Sequence, residues 1–421
     1  MKKILILTPY DFPEKAASPY LGENRDEAFV NSGFDILVYA PTPCRGIDEA
    51  TRTEYCKKEH RVDIALNGHR VIHRFAMYSE GKNALLRALR YFFVGGKHFC
   101  CGLSKEARAC DVMFIASTPP FQGALAGLLK KFTHQPLVYN LQDIFPDSLV
   151  GTGLAKNGGL LWKIGRVIED FTYRNADKII VISEDFKKNI MAKGVPEEKI
   201  VVVYNWVDQN AVVDVPREQN KLFDKYGLDR SKFYIEYSGN IGLTQNMDML
   251  LEVMAELQVS YPDINLVLVG EGAYKAQVEK IVAEKQLKNV HLLPFQPYED
   301  ISYVFSLGDA GLVISKPGVG ANSVPSKTWS IMSASRPVLA NFDENELKQI
   351  VEKHNCGIFT KAGDKEAFKQ SILALYNDRE MAVEMGKNGR QFVMDNLTRE
   401  VGTQKYVDVI KSVVAEAKKQ G

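Results

Sequence analysis

The fold of this chain is constrained most by a repeated alternation of short apolar runs with segments of helical character. The runs are rich in β-branched residues and end at turn-forming residues. In the first half they lie at 4–7, 35–39, 71–75, 112–116, 137–141, 178–182 and 200–203. Helix-like segments between most of them predict a mainly parallel β-sheet that is covered by helices on both faces.

The alternation starts again after a polar, charge-rich linker at 209–230. The later runs lie at 233–237, 265–269, 290–293, 310–314 and 338–340. The 421 residues also exceed the roughly 250–300 at which a single hydrophobic core stops growing. We therefore predict an α/β fold of two Rossmann-like β/α/β domains, one at 1–205 and one at 206–397. The helical pattern at 378–420 is continuous, and we expect a C-terminal helix at 398–421 to pack back onto the first domain.

Overall charge and cysteine spacing exclude several classes of protein. A formal net charge of +1 gives no general attraction to nucleic acid, so we expect no nucleic-acid partner. The six cysteines form no Cys-x-x-Cys pair. The apolar run after Lys2 and Lys3 is shorter than the ~7–15 residues of a signal-peptide core. These features predict a cytoplasmic protein with reduced thiols.

The stretch 317–338 has the pattern of a loop that leads into a helix N-terminus. Glycines break the preceding strand, Pro325 suits the first helical turn, and Ser323 or Ser326 can cap it. Helix N-termini attract phosphate, and Lys327 adds a full positive charge there. We interpret the stretch as the seat of a diphosphate, with an ordinary capped helix as the alternative. A triphosphate P-loop is a less favoured alternative, because Ser326 stands where that motif needs glycine.

Three glycine turns follow predicted strands of the second half, at 239–242, 270–272 and 318–320. Parallel strands end at one edge of their sheet, so these turns can converge on one phosphate-bearing ligand. We expect Lys327 to supply the positive charge, with Lys316 as the fallback.

Loops at the same edge of the first half carry polar candidates. The long loop after the first strand leads to Arg25, which can contact an anion or pair with Asp26 or Glu27. Asp143 follows another strand, where a catalytic or substrate-binding group is expected, although it can equally cap the next turn.

The segment 82–99 mixes Arg and Lys with Leu, Phe and Tyr at helical spacing. A basic amphipathic helix of this kind can lie on an anionic membrane surface. Packing against the core with a solvated basic edge is the alternative.

The order and spacing of several short motifs resemble the retaining GT-B glycosyltransferases of family four. The matching stretches are 4–22, 139–148, 182–186, 205–208, 237–246, 269–272 and 333–338. Gly-Asn-Ile-Gly-x-x-Gln at 239–245 and Pro-Ser-Lys at 325–327 are most similar to a bacterial surface-polysaccharide subgroup, such as the fucosamine transferases of O-antigen and capsule assembly.

This resemblance implies two Rossmann-like domains that face a central cleft, with the acceptor in the first and the donor in the second. It implies retaining transfer from a UDP-sugar to a lipid-linked or other saccharide acceptor, without a metal or other cofactor. The sequence contains no Asp-x-Asp motif. The implied catalytic residues are Lys327 and Asp143. The implied donor-binding residues are Gly239, Asn240, Gly242, Gln245, Glu271, Pro294, Phe295, Ser326, Thr328 and Ser330, and the implied acceptor-binding residues are Tyr20, Gly22, Arg25 and Pro120.

The chain also departs from the family pattern at charged positions. Asn322 and Ser330 stand in place of two glutamates, and Asn240 and Gln245 replace the family's diphosphate-binding Arg and Lys. The positive charge for the leaving group must therefore come from elsewhere, which again indicates Lys327. A non-catalytic scaffold of a polysaccharide complex and a UDP-sugar epimerase are the alternative functions.

Overall fold

A computed structural model describes residues 2–14, 19–79, 84–151, 156–320 and 324–420. The chain divides into two compact units. Unit 1 contains the residues up to Tyr204 and those from Thr403 onward, and unit 2 runs from Asn205 to Gly402. The predicted limits at 205 and 398 lie close to these divisions.

Unit 1 is built on an eight-stranded sheet of order β3-β4-β2-β1-β5-β6-β7-β8, in which only the β3–β4 pairing is antiparallel among the described strands. Its elements are β1 (Lys2–Leu7), α1 (Pro19–Asn31), β2 (Phe34–Pro41), α2 (Glu49–Tyr55), β3 (Val62–Ala65), β4 (Arg70–Phe75), α3 (Ala84–Gly102), α4 (Lys105–Arg108), β5 (Val112–Ala116), α5 (Gln122–Thr133), β6 (Leu137–Leu141), α6 (Asp147–Gly151), α7 (Leu160–Asn175), β7 (Lys178–Val181), α8 (Glu184–Ala192) and β8 (Ile200–Val202).

Unit 2 is built on a six-stranded parallel sheet of order β11-β10-β9-β12-β13-β14. Its elements are α9 (Lys221–Tyr226), β9 (Phe233–Ser238), α10 (Met247–Ser260), β10 (Ile264–Val269), α11 (Lys275–Glu284), β11 (Val290–Leu293), α12 (Ile301–Phe305), β12 (Ala310–Ile314), α13 (Lys327–Ser333), β13 (Val338–Phe342), α14 (Glu346–Lys353), β14 (Gly357–Lys361), α15 (Lys365–Asn377), α16 (Arg379–Asn396) and α17 (Arg399–Gln420), which continues into unit 1.

These sheets confirm the predicted α/β class of two Rossmann-like domains. Every predicted strand is present, because buried strands of parallel sheets are apolar on both faces and stand out in the sequence. The edge strands β3 and β14 were missed; they carry exposed and half-buried residues, so their apolar pattern is weak. The prediction of one continuous helix at 378–420 is wrong, because α16 ends at Asn396 and a separate helix, α17, begins at Arg399.

Strand order fixes where each unit can hold a ligand. In unit 2, β9 lies between β10 and β12, so the chain winds one way from β9 to β11 and the other way from β12 to β14. A crevice opens outside the carboxyl ends of the strands at such a reversal. Candidate ligand contacts in unit 2 are therefore the loops after β9 and β12. In unit 1 the corresponding strands are β1 and β5.

Candidate functional site

Two of the three predicted glycine turns form one interlocked structure in unit 2. The Gly239 amide donates to the Val269 carbonyl (3.0 Å), and the Ile241 amide donates to the Glu271 carbonyl (2.9 Å). A Cβ on Gly270 would lie 2.0 Å from the Gly239 carbonyl oxygen, and Gly270 also has φ +154°. Only glycine therefore permits the turns after β9 and β10 to approach this closely.

Lys327 extends from the first residue of α13 to these turns. Its Nζ lies 3.4 Å from the centre of the Tyr237 ring, a cation–π contact. A Cβ on Gly239 would lie 3.1 Å from the same nitrogen, so the missing side chain leaves the ammonium group uncovered on that side. Lys327 makes no ion pair within the part of the chain that the structure describes. Burial lowers the pKa of Lys327 to about 7, and the Glu236 charge only partly opposes this effect.

Glu236 is a second charge-bearing group here, and it was not among the predicted site residues. It lies within β9 and is fully buried, and burial raises its pKa to about 8 while Lys327 acts to lower it. Ser238 is near enough to lower this pKa further, but neither carboxylate oxygen accepts a hydrogen bond of normal geometry from any described residue. The available signal was a single carboxylate inside an otherwise apolar strand, which is costly without a partner.

The third glycine turn, at 318–320, binds a carboxylate side chain of the protein itself. The Asp343 carboxylate accepts from the Gly318 amide (3.0 Å) and from the Gly320 amide (2.7 Å). The Asn345 side-chain amide donates to the Gly320 carbonyl (2.9 Å) and holds the same turn. The prediction that three glycine turns converge on a phosphate is therefore corrected: the amides of Gly318 and Gly320 are occupied by Asp343.

The helix that follows β12 also differs from its prediction. α13 has seven residues, and the Ser326 side chain makes no capping hydrogen bond. The Thr328 amide donates to the Pro325 carbonyl (3.0 Å), so it is not available to a phosphate. The Thr328 side chain is fully buried, whereas Ser326 is exposed and Ser330 half-buried. Asn322 and Ser323 lie outside the described residues.

The other predicted donor-binding residues lie around the two interlocked turns or farther along the same edge. Gln245 accepts from the Gly242 amide (3.0 Å), and Asn240 is exposed beside it. Glu271 is exposed and receives a hydrogen bond from Lys275 (2.6 Å). Pro294 and Phe295 follow β11, two strands away from β9, and both are exposed. Phe295 is 73% exposed, so it is accessible for stacking against a ring.

Lys316, the fallback cation, lies at the opposite side of the switch point. Its backbone amide donates to the Thr244 carbonyl (2.7 Å), which ties the loop after β12 to the loop after β9. Its Nζ lies 5.8 Å from the centre of the Tyr274 ring. Lys316 is thus a half-buried lysine of the same edge, like Lys327, but its Nζ lies 5.8 Å from an aromatic ring centre instead of 3.4 Å, and it provides a matched control.

In unit 1, Arg25 was predicted to contact an anion, and it already pairs with a carboxylate of the protein. The Arg25 guanidinium donates to Asp26 from Nε (2.9 Å) and Nη2 (2.6 Å), and it lies 4.6 Å from the Phe114 ring centre. The pairing alternative for Arg25 is therefore the one observed. Tyr20 and Gly22 lie in the first turn of α1, and a Cβ on Gly22 would meet no atom of a described residue within 4 Å.

The remaining unit 1 candidates follow β5 and β6. Pro120 is half-buried and lies just before α5. Asp143 is exposed two residues after β6, and surrounding protein atoms raise its pKa while Ser148 lowers it. Solvent screening at an exposed carboxylate keeps such an effect small. Within the described ranges, no group of three or more His, Cys, Asp or Glu side chains is arranged to hold a metal ion.

Comparison with known proteins assigns each half of the chain to a family. The model of the glycosyl transferase 4-like domain matches residues 27–206, and the model of glycosyl transferases group 1 matches residues 218–392. This chain is a GT-B glycosyltransferase. The family resemblance noted from its motifs is thereby confirmed, and so is its assignment as a transferase enzyme.

This glycosyltransferase is similar to named bacterial enzymes. It is 24% identical over 349 residues to the probable glycosyltransferase WbjE of Pseudomonas aeruginosa, covering 82% of this chain and 85% of WbjE. It is 29% identical over 235 residues to the putative colanic acid biosynthesis glycosyl transferase WcaI of Escherichia coli K12, covering 53% of this chain and 56% of WcaI.

A solved structure shares the fold along nearly the whole chain. HepE of Anabaena, determined in complex with UDP, superposes with a TM-score of 0.71 at 17% identity and covers 98% of this chain and 100% of HepE. Among the described helices of this glycosyltransferase, none has the length and apolar character needed to cross a bilayer.

Proposed function

We propose that this glycosyltransferase transfers a sugar from a UDP-sugar to a lipid-linked or other saccharide acceptor in surface-polysaccharide biosynthesis, with retention of anomeric configuration. One observation carries the donor assignment: the Lys327 side chain is half-buried, has no ion-pair partner among the described residues and faces the glycine turn after β9. An anion placed there would compensate the unpaired positive charge.

Two further facts support UDP as the donor nucleotide and surface-polysaccharide biosynthesis as the pathway. HepE, which shares the fold, was solved with UDP and with UDP-glucose. The name of WcaI places that relative in colanic acid biosynthesis.

In this proposal the protein acts on the leaving group mainly through Lys327. Bond breakage transfers negative charge to the departing diphosphate, and a fixed positive charge nearby stabilises that transition state. The amides of Gly239 and Gly242 are bonded within the protein, so these glycines contribute close approach and not hydrogen bonds to phosphate. We propose that the reaction uses no metal ion, with Lys327 supplying the positive charge.

The first test is a thermal-shift screen with UDP-, GDP- and dTDP-sugars, because a ligand that binds the folded state raises its melting temperature. We expect a UDP-sugar to give the largest increase. No increase with any nucleotide would favour the scaffold alternative. Conversion of a UDP-sugar to a different UDP-sugar without acceptor would favour the epimerase.

The second test is turnover of that donor by Lys327→Met, followed as nucleotide release with a polyprenyl-diphosphate-linked saccharide acceptor. Losing a charge that stabilises the transition state costs about 10²–10³ in rate. Lys316→Met is the matched control, and we expect it to stay within a few-fold of wild type. A Lys327→Met enzyme that is equally active would remove Lys327 from the mechanism.

A further inference from the structure

Three buried polar side chains around the switch point of the unit 2 sheet make no hydrogen bond of normal geometry to any described residue. Glu236 lies on β9, Ser315 directly follows β12, and Thr328 lies in the first turn of α13. Glu236 and Thr328 are fully buried, and Ser315 is 4% exposed. Buried polar groups are almost always hydrogen-bonded, so each of these exceptions requires an explanation. Glu236 is the one of the three that can carry a charge.

Glu236 points into apolar surroundings. Its neighbours in the sheet are Val267 on β10 and Gly311 on β12. A Cβ on Gly311 would lie 2.5 Å from Ile331, so α13 packs on the face of the sheet toward which Glu236 points. A Cβ on Gly308 would lie 2.7 Å from the Glu236 Cβ, so the loop before β12 covers this position closely. Among such neighbours the neutral acid is the more stable form of the side chain.

Lys327 and Glu236 influence each other without forming an ion pair. Glu236 and Tyr237 are successive residues of β9, so their side chains point to opposite faces of the sheet. The Lys327 Nζ contacts the Tyr237 ring at 3.4 Å from its centre and pairs with no described carboxylate. Glu236 is nevertheless the one described charged group that shifts the pKa of Lys327, and Lys327 is the one that shifts the pKa of Glu236.

A diphosphate bound at Lys327 would act on both groups in the same direction. Its negative charge stabilises the ammonium form of Lys327, because opposite charges attract. The same charge destabilises a carboxylate on Glu236, because like charges repel and little water is present to screen them. Each group should therefore hold its proton more tightly when a diphosphate is bound.

We propose that Glu236 is a proton-binding residue coupled to the donor site, and that it must be the neutral acid for a nucleoside diphosphate to bind beside Lys327. This inference rests on the proposed function, because it takes Lys327 as the residue that holds the diphosphate. Binding leaves Glu236 as the acid and Lys327 as the ammonium, and solvent supplies the protons. Departure of the diphosphate returns these protons to solvent, so a rise in pH favours release of the nucleotide.

Two coupled groups give an effect that Lys327 alone cannot produce. Burial lowers the pKa of Lys327 to about 7 and raises the pKa of Glu236 to about 8. At pH 8 the ligand-free protein has therefore lost most of the Lys327 proton and about half of the Glu236 proton. The terminal phosphate of UDP loses its last proton near pH ~6 and contributes no uptake at pH 8. Binding of UDP at pH 8 should then take up more than one proton, whereas a single group can take up one at most.

The test is calorimetric titration of UDP into the full-length protein at pH 8 in Tris and in HEPES, two buffers with different ionisation enthalpies. The difference between the two measured binding enthalpies gives the number of protons taken up. We expect more than one proton per UDP for wild type and about one or fewer for Glu236→Gln. By the same linkage, the affinity of wild type for UDP should fall more than about tenfold from pH 8 to pH 9, and that of Glu236→Gln by about tenfold at most.

The matched control is Glu252→Gln, which removes an exposed carboxylate of α10 that pairs with Lys365 (3.4 Å). We expect this variant to take up as many protons as wild type. The proposal is overturned if wild type takes up one proton or fewer at pH 8, if Glu236→Gln takes up as many as wild type, or if Glu252→Gln loses as much uptake as Glu236→Gln. Each of these results leaves UDP binding, and with it the proposed function, intact. A wild type that binds no UDP would instead contradict the proposed function, and this inference with it.

Discussion

The two units have related sheets, but Arg70 of unit 1 and Lys327 of unit 2 have opposite surroundings. In unit 1, Arg70 is held between the carboxylates of Asp11 (2.7 Å) and Asp26 (2.9 Å), and Arg25 also pairs with Asp26. In unit 2, Lys327 lies against an aromatic ring with no ion pair to a described residue. The contrast holds for these two cations and not for the units as wholes, because Arg90 of unit 1 is also buried with no hydrogen-bond partner for its Nη atoms among the described residues.

The pKa shifts of these cations differ in sign for the same reason. Burial acts to lower the pKa of Arg70, but Asp26 and Asp11 outweigh it and raise that pKa. Burial lowers the pKa of Lys327 to about 7 because Glu236 compensates only in part. The same fold can therefore contain a structural ion-pair cluster or a cation without a paired anion. Which of the two forms depends on whether carboxylates contact the cation.

The largest expected effect is on the stability of unit 2. Gly270→Ala places a Cβ 2.0 Å from the Gly239 carbonyl in a backbone conformation that disfavours side chains. We expect a loss of roughly 4 kcal/mol in the free energy of unfolding, as for severe steric and backbone defects. Urea unfolding measures it.

The comparison variant in unit 1 is Gly22→Ala, within α1. A Cβ there meets no described atom within 4 Å, so we expect a gain of about 0.5–1 kcal/mol from helix propensity. Equal destabilisation by both variants would contradict the assignment of the Gly239–Gly270 contact as the element that requires glycine.

Glu236→Gln tests the buried carboxylate of unit 2. The folded-state pKa of Glu236 is raised to about 8 from 4.5, so its ionisation penalises the folded state progressively as pH rises between those values. Glutamine cannot ionise, and we expect the variant to gain on the order of 2 kcal/mol more at pH 9 than at pH 6 relative to wild type. Melting temperatures across that range measure it; a gain that is independent of pH would contradict a raised pKa.

Asp343→Asn tests the turn that a carboxylate holds. The variant loses an acceptor for the amide of Gly318 or Gly320, and we expect a loss of about 1.5 kcal/mol in stability. Hydrogen exchange at the two glycine amides should rise more than at Gly239, whose partner is a strand carbonyl. Unchanged exchange at Gly318 and Gly320 would refute the role of Asp343.

The sequence predicted most of the fold and the neighbourhood of the site, but not its charge arrangement. Parallel strands such as β9 are local apolar patterns, and the Gly239 and Gly270 turns follow them directly. The pairing of Asp343 with Gly318 joins residues on neighbouring loops, so no local pattern reveals it. Glu236 could have been predicted, because it is an isolated carboxylate within an otherwise apolar strand.

The most direct test of the account is calorimetric titration of UDP into wild type and Lys327→Met at pH 7 and pH 9. Without ligand, Lys327 has a pKa of about 7. A bound diphosphate needs the protonated ammonium form, so the affinity for UDP must fall as the pH rises through that value. We predict about tenfold or more weaker binding by wild type at pH 9. Lys327→Met should bind weakly at both pH values and lose less affinity between them, because only Glu236, with a pKa of about 8, then titrates beside the site. Wild-type affinity that is independent of pH, or equal affinity of the two proteins at pH 7, would contradict the claim that Lys327 holds the diphosphate.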